Sequence, residues 1–179
     1  MWTGGLLFWN RAIGMATGSL VSVREYLSTS YRPDCDFVDG VVLDRNLGEY
    51  DHARLQMAIA AYYYNRRKEL GIVAVPEQRV QVSPTRFRVP DVCVAVGEPG
   101  EQIFRKPPFI CIEILSPEDR FAQMRERVED YLHFGVPYVW ILDPATRQAW
   151  RCTAEGAPEV SELRTENPGT VVPVADLFE

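Results

Sequence analysis

The chain has 179 residues, 46% of them hydrophobic and 25% charged, with a formal net charge of −6. It is long and apolar enough to bury a sizeable core, and no internal repeat or low-complexity tract points to a second unit. No apolar run reaches the roughly 20 residues that span a bilayer. The four cysteines, Cys35, Cys93, Cys111 and Cys152, are scattered without a Cys-x-x-Cys pair, so zinc and redox chemistry lack support and a cytoplasmic setting is expected.

In chain order, Ser22 to Leu27 predicts a short helix, with Ser22 as N-cap and Glu25 three residues on. Phe37 to Leu43 turns through Asp39-Gly40, a hairpin signal between apolar runs. Asp51 to Leu70 predicts a long helix closed by Gly71, with Tyr62, Tyr63 and Tyr64 packing it against a sheet. Strands are predicted at about 72–75, 79–82, 86–89, 91–96 and 109–115. A helix over 119–134 follows, closed by another glycine, with Phe121, Met124, Val128, Tyr131 and Leu132 as its core-facing stripe. Strands near 138–142 and 148–152 complete the pattern. The strand, helix, strand succession around residues 109–142 is a crossover unit that favours parallel pairing. The fold class is therefore α/β or α+β, a mixed β-sheet flanked by helices.

Two acids stand out within this pattern. Asp91 opens Asp91-Val92-Cys93-Val94-Ala95-Val96, and Glu113 lies inside Phe109-Ile110-Cys111-Ile112-Glu113-Ile114-Leu115. Ionised groups in core strands cost several kcal/mol each unless paired or bound to a metal, which makes a cation site the first hypothesis. Read alone, each acid is equally a strand-end group that reaches water or an arginine.

The surrounding words carry a resemblance. Arg88-Val89-Pro90-Asp91-Val92, then Glu113-Ile114-Leu115-Ser116-Pro117, then a helix, then Gly135-Val136-Pro137-Tyr138-Val139-Trp140-Ile141-Leu142-Asp143-Pro144 together resemble the Uma-two family of restriction endonuclease-like proteins, a branch of the PD-(D/E)XK nuclease superfamily. The resemblance runs from about residue 22 to residue 178. It begins only after Met15, so residues 1–14 are expected to be an extension outside the fold, and residues 15–179 a single restriction-endonuclease-like domain. Residues 1–14 also lack the basic leader and clear cleavage site of a signal peptide.

The resemblance implies a metal-dependent endonuclease that hydrolyses DNA phosphodiester bonds. Asp91 and Glu113 would hold Mg²⁺ or Mn²⁺, with the Ile114 carbonyl as a further ligand; such an ion takes one or two carboxylates and keeps several waters. The superfamily's usual lysine, two residues after the glutamate, is replaced here by Leu115. The Uma-two lysine on the following helix corresponds to Arg127, which steadies phosphate charge but cannot exchange a proton as a lysine of lowered pKa can. Gln123, one turn earlier, stands where the family tends to have Asp. The alternative is a catalytically weakened nuclease-fold protein that binds nucleic acid or a protein partner without cutting. Read without the resemblance, Arg127 is an ordinary solvated helix residue paired to Glu126, Glu129 or Asp130.

Accessory candidates are His52 with Glu49, which the resemblance places at the cleft, and Glu77, which precedes a strand leading to Asp91. By itself a histidine near a helix start is a capping or packing residue, and Glu77 a plain loop acid. The net charge is poor for gripping a polyanion. However, residues 153–179 hold six acids and one arginine, leaving only −1 on residues 1–152. Arg79, Arg86 and Arg88 are candidate phosphate contacts, as are the clusters Arg66-Arg67-Lys68 and Arg105-Lys106. DNA is the expected partner, no membrane is involved, and a homo-oligomer is left open.

Overall fold

A computed structural model describes residues 20–45, 49–117, 119 and 121–179. Residues 1–14, expected to be an extension, lie outside the described residues. The chain begins with α1 (Val23–Ser28), where the Ser22 hydroxyl accepts from the Glu25 N–H, then β1 (Asp36–Val38) and β2 (Val41–Leu43). Next come α2 (Tyr50–Leu70), β3 (Ile72–Pro76), β4 (Val80–Ser83), β5 (Arg86–Arg88), β6 (Val92–Val96) and β7 (Ile110–Ile114). The chain continues through α3 (Phe121–Phe134), β8 (Tyr138–Asp143) and β9 (Gln148–Cys152). It ends in β10 (Glu162–Thr165), β11 (Thr170–Pro173) and a 3-10 helix, Ala175–Phe178.

The predicted elements are present, and the fold is a mixed α+β arrangement in which helices flank the sheets. The main sheet has the order β3-β6-β7-β8-β9 and is antiparallel except where β7 and β8, joined through α3, pair in parallel. The second sheet is antiparallel with the order β2-β1-β5-β4. The closing hairpin β10-β11 and the 3-10 helix lie beyond the elements that the sequence pattern predicts.

Both faces of the main sheet are covered, which is why β6 and β7 read as continuous apolar runs rather than alternating ones. On one face Val92, Val94, Ile110, Ile112, Ile114, Trp140 and Leu142 pack with Leu55, Ile59 and Tyr63 of α2, and with Leu163, Val172 and Leu177 of the C-terminal elements. On the other face Cys93, Cys111, Val139 and Cys152 meet Val128 and Tyr131 of α3 and Val80 and Val82 of β4. A smaller aromatic cluster of Tyr26, Phe37 and Phe87 joins α1 to the second sheet. All four cysteines are free and buried.

Two packing expectations are corrected. Consecutive helical residues are about 100° apart, so Tyr62, Tyr63 and Tyr64 cannot face one way; Tyr63 is buried, Tyr62 half-buried and Tyr64 exposed. Phe121 is also exposed, unlike Met124, Val128 and Tyr131. It occupies the first position of α3, where a helical side chain leans back toward the N-terminus and away from the turns that the sheet covers.

Candidate active site

The register of β6 and β7 pairs Val92 with Ile112 and Cys93 with Cys111. One step further along both strands, Asp91 comes opposite Glu113. Directly opposed residues of an antiparallel pair share a face, with Cβ atoms about 5 Å apart. Both acids therefore lie on the face that carries Cys93 and Cys111, toward α3 and the second sheet. Asp91 is 3% exposed and Glu113 1%, so each needs compensation from the protein.

Asp91 is compensated on every side. Its Oδ1 accepts from the Arg45 guanidinium, and its Oδ2 accepts from the Ile114 N–H at 2.7 Å and lies 3.4 Å from His52 Nε2. Gln56, one turn after His52 on α2, donates to the Asp91 carbonyl at 2.9 Å. Burial pushes the Asp91 carboxyl up, but the His52 hydrogen bond and the Arg45 charge outweigh it and hold the group below the usual carboxylate range. Burial alone would lower the His52 pKa, yet its bond and attraction to Asp91 raise it overall.

Glu113 lies in a contrasting environment. Its Oε1 accepts from the Tyr131 hydroxyl at 2.6 Å, and its Oε2 accepts from Arg127 Nη1 at 3.4 Å. Burial pushes the Glu113 carboxyl up to about 7; Arg127 pulls it down, and the Asp91 charge adds to the rise. Two neighbouring carboxylates thus have their proton affinities driven apart, the usual way in which one site keeps one acid ionised and another near neutrality. Burial also lifts the Tyr131 hydroxyl well above its ordinary value. Arg127 is held protonated: burial opposes its charge, but Glu113 and Asp36 outweigh that.

Arg127 is not the solvated helix residue that a bare sequence allows. Its side chain is 12% exposed, and its Nε donates to Asp36 Oδ2 at 3.1 Å. Asp36, on β1 and 1% exposed, also accepts from Arg88 Nη1 at 3.0 Å and from the Val89 N–H at 3.0 Å. Arg88 Nε continues to Asp130 at 2.7 Å, and Arg86 joins Asp130 and Asp39 at 2.8 and 2.9 Å. A chain of alternating charges therefore runs from Glu113 through Arg127, Asp36, Arg88 and Asp130 to Arg86, tying α3 to the second sheet.

This network revises one expectation. Arg88 is 1% exposed and paired with three carboxylates, Asp36, Asp130 and Glu126, which leaves no open face for a phosphate. Arg86 is half-buried in its pairs, and Arg79 is half-buried and forked onto Asp34, its Nε at 2.6 Å. A phosphate would have to displace those carboxylates. Among the accessory candidates, Glu77 is exposed; its N–H donates to the Asp91 carbonyl at 3.3 Å, but its carboxylate lies 3.7 Å from Arg45, so its charge meets the Asp91 side chain only through that residue. Glu49 is an exposed N-cap of α2 that makes no side-chain cap bond, and Gln123 is exposed on α3.

Sequence reasoning missed Asp36, Arg45, Gln56 and the role of Tyr131. The acid-in-an-apolar-strand signal that singled out Asp91 and Glu113 applies equally to Asp36 in Cys35-Asp36-Phe37-Val38. Nothing local marks Arg45, which meets Asp91 only through tertiary folding.

Two oxygen-donor carboxylates on one face match the donor set of a hard divalent cation, which takes few protein ligands and keeps waters. Among the described residues, no group of three His, Cys, Asp or Glu side chains is arranged to hold a metal ion. Arg45 and Arg127 supply positive charge at the two carboxylates, so an ion entering there must displace or share with them.

A family model described as "Putative restriction endonuclease" matches residues 23–179. The chain belongs to this family, Uma2. The described fold is similar to the crystal structure of a "putative nuclease belonging to DUF820" from Anabaena variabilis, with a TM-score of 0.74 at 20% identity over 88% of this chain and 97% of that one. No curated protein matches. No helix among the described residues of this Uma2 chain is long and apolar enough to cross a membrane.

Proposed function

We propose that this Uma2 chain is a metal-dependent endonuclease acting on DNA, with the chemistry at Asp91, Glu113 and Arg127. The observation that carries this reading is the burial of Asp91 and Glu113 side by side on one sheet face, with Arg127 reaching the same point from α3. Mg²⁺ or Mn²⁺, when bound by the two carboxylates and the Ile114 carbonyl, supplies phosphate polarisation and an acidified water. Asp91, held ionised by Arg45 and His52, is the permanent anionic ligand. Glu113 is the second carboxylate ligand, its carboxyl oriented by Tyr131 and Arg127. Arg127, fixed by Asp36, donates to the developing phosphate charge in place of a lysine. A cytoplasmic setting suits four free thiols.

A second reading has its own support. Arg45 and Arg127 already neutralise both carboxylates, and Arg127 cannot exchange a proton, which favours a relative that binds nucleic acid or a protein without cutting. Incubation with plasmid and single-stranded DNA in Mg²⁺ or Mn²⁺ decides between them, with Asp91→Ala purified in parallel. Cleavage by the wild type that is lost in Asp91→Ala supports the nuclease. DNA retention in a shift assay without cleavage supports the second reading, and equal cleavage by both proteins overturns the assigned site.

A further inference from the structure

The helix α2 presents apolar side chains on two opposite faces. Leu55, Ile59 and Tyr63 are buried against the main sheet. On the far side Tyr50, Met57 and Tyr64 are 78%, 69% and 53% exposed. Their seven-residue spacing places them within about 40° of one another around the helix, in a single stripe. Exposed Ala53 and half-buried Ala61 lie between them, while Ala60 packs against the core. Large residues at one seam position and alanines three or four residues on form the repeat by which two helices interdigitate. Isolated exposed apolar residues are ordinary, but a continuous stripe of this length marks an interaction surface.

The ends of the helix indicate what covers the stripe. Glu49 and Asp51 stand at the N-terminal end, and Arg66, Arg67 and Lys68 at the C-terminal end. The Arg67 guanidinium lies 3.8 Å over the Tyr64 ring, on the stripe itself, and the Glu49 side chain makes no cap bond. A second α2 laid antiparallel about a two-fold axis at Met57 sets Tyr50 against Tyr64 of the partner subunit. It also brings Glu49 beside Arg67 of the partner subunit, because both residues occupy the same flank of the helix. Parallel pairing would instead bring acid to acid and base to base. The helix macrodipoles also favour the antiparallel arrangement.

We propose that α2 is an antiparallel homodimer interface in which Tyr50, Met57 and Tyr64 of two copies form the apolar seam and Glu49 pairs with Arg67 across it. This goes beyond the nuclease reading and does not depend on it. A helix of 21 residues is about 31 Å long, which limits the contact to the small end of specific interfaces, near 1,200 Å². A micromolar, concentration-dependent dimer is therefore expected.

The test is sedimentation equilibrium of the full chain over a range of protein concentrations, with circular dichroism and melting curves for each variant. The wild type should move toward twice the monomer mass as concentration rises, and Met57→Glu should remain monomeric, with the melting temperature of the wild type when both are measured at a dilution that dissociates the dimer. Glu49→Arg and Arg67→Glu should each weaken the dimer about tenfold, and the double variant should restore it. A wild type that stays monomeric throughout overturns the proposal, as does a dimer indifferent to Met57→Glu. A monomeric wild type whose Met57→Glu variant melts earlier also overturns it, by showing that the chain's own residues cover the stripe.

Discussion

Replacing Glu113 with Gln tests the electrostatics of the site without emptying it. Glu113 is 1% exposed, and its carboxyl is raised from the ordinary 4.5 to about 7. That rise corresponds to about 3 kcal/mol of preference for the protonated form in the folded chain, at about 1.4 kcal/mol per tenfold. Between pH 4.5 and 7 the folded chain keeps a proton that the unfolded chain releases, so this contribution to stability is complete below pH 4.5 and is lost as pH rises through 7. Gln resembles the protonated acid: it accepts from Tyr131 and cannot ionise. Urea unfolding at pH 8 should therefore find Glu113→Gln more stable than the wild type by about 3 kcal/mol, with the difference near zero at pH 4.5. The variant should have lost any DNA cleavage. A variant less stable than the wild type at pH 8 would refute this reasoning and make the carboxylate a structural partner of Arg127 and Tyr131.

The other predictions concern the cations and the ion network. Mn²⁺ should raise the melting temperature of the wild type, and Asp91→Ala and Glu113→Ala should each abolish that gain, because only the folded chain assembles the ligands; equal shifts in all three proteins would count against the metal site. Arg45→Ala should tighten Mn²⁺ binding about tenfold in calorimetry, since it removes the cation that competes for Asp91; unchanged or weaker affinity would show that Arg45 assists the site instead. Asp36→Ala should destabilise the fold by about 2–3 kcal/mol, because Arg88 and Arg127 lose the carboxylate they share and keep only Asp130, Glu126 and Glu113, a loss to be read from chemical denaturation. Arg127→Lys should raise cleavage or make it first measurable, while Arg127→Ala lowers cleavage and leaves Mn²⁺ binding intact.

Much of this protein was fixed by local signals. The capped α1, the glycine-ended α2, the Asp39-Gly40 hairpin and the run of strands each rest on interactions within a few residues, so spacing and turn chemistry suffice to place them. Asp91 and Glu113 were legible for a related reason: an acid in an apolar strand conflicts with its own neighbourhood, and the conflict is visible in one dimension. The short hairpin β10-β11 and the 3-10 helix carried weaker signals, because segments of four residues provide too few repeats for a period to show.

Partner choice belongs to the tertiary structure. Arg127 has Glu126, Glu129 and Asp130 nearby in sequence, yet it pairs with Asp36, 91 residues away, and with Glu113, because α3 lies over the face on which β1 and β7 present those acids. Arg88 looked like a phosphate contact and is instead an interior counter-ion for Asp36 and Asp130. Arg45 had no local mark at all, and reaches Asp91 only once the chain has folded. Charge itself is a property of each residue and can be read from the sequence. Whether that charge meets water, a substrate or another buried charge depends on which distant strands and helices share a face, and that is decided only when the sheets close on one another.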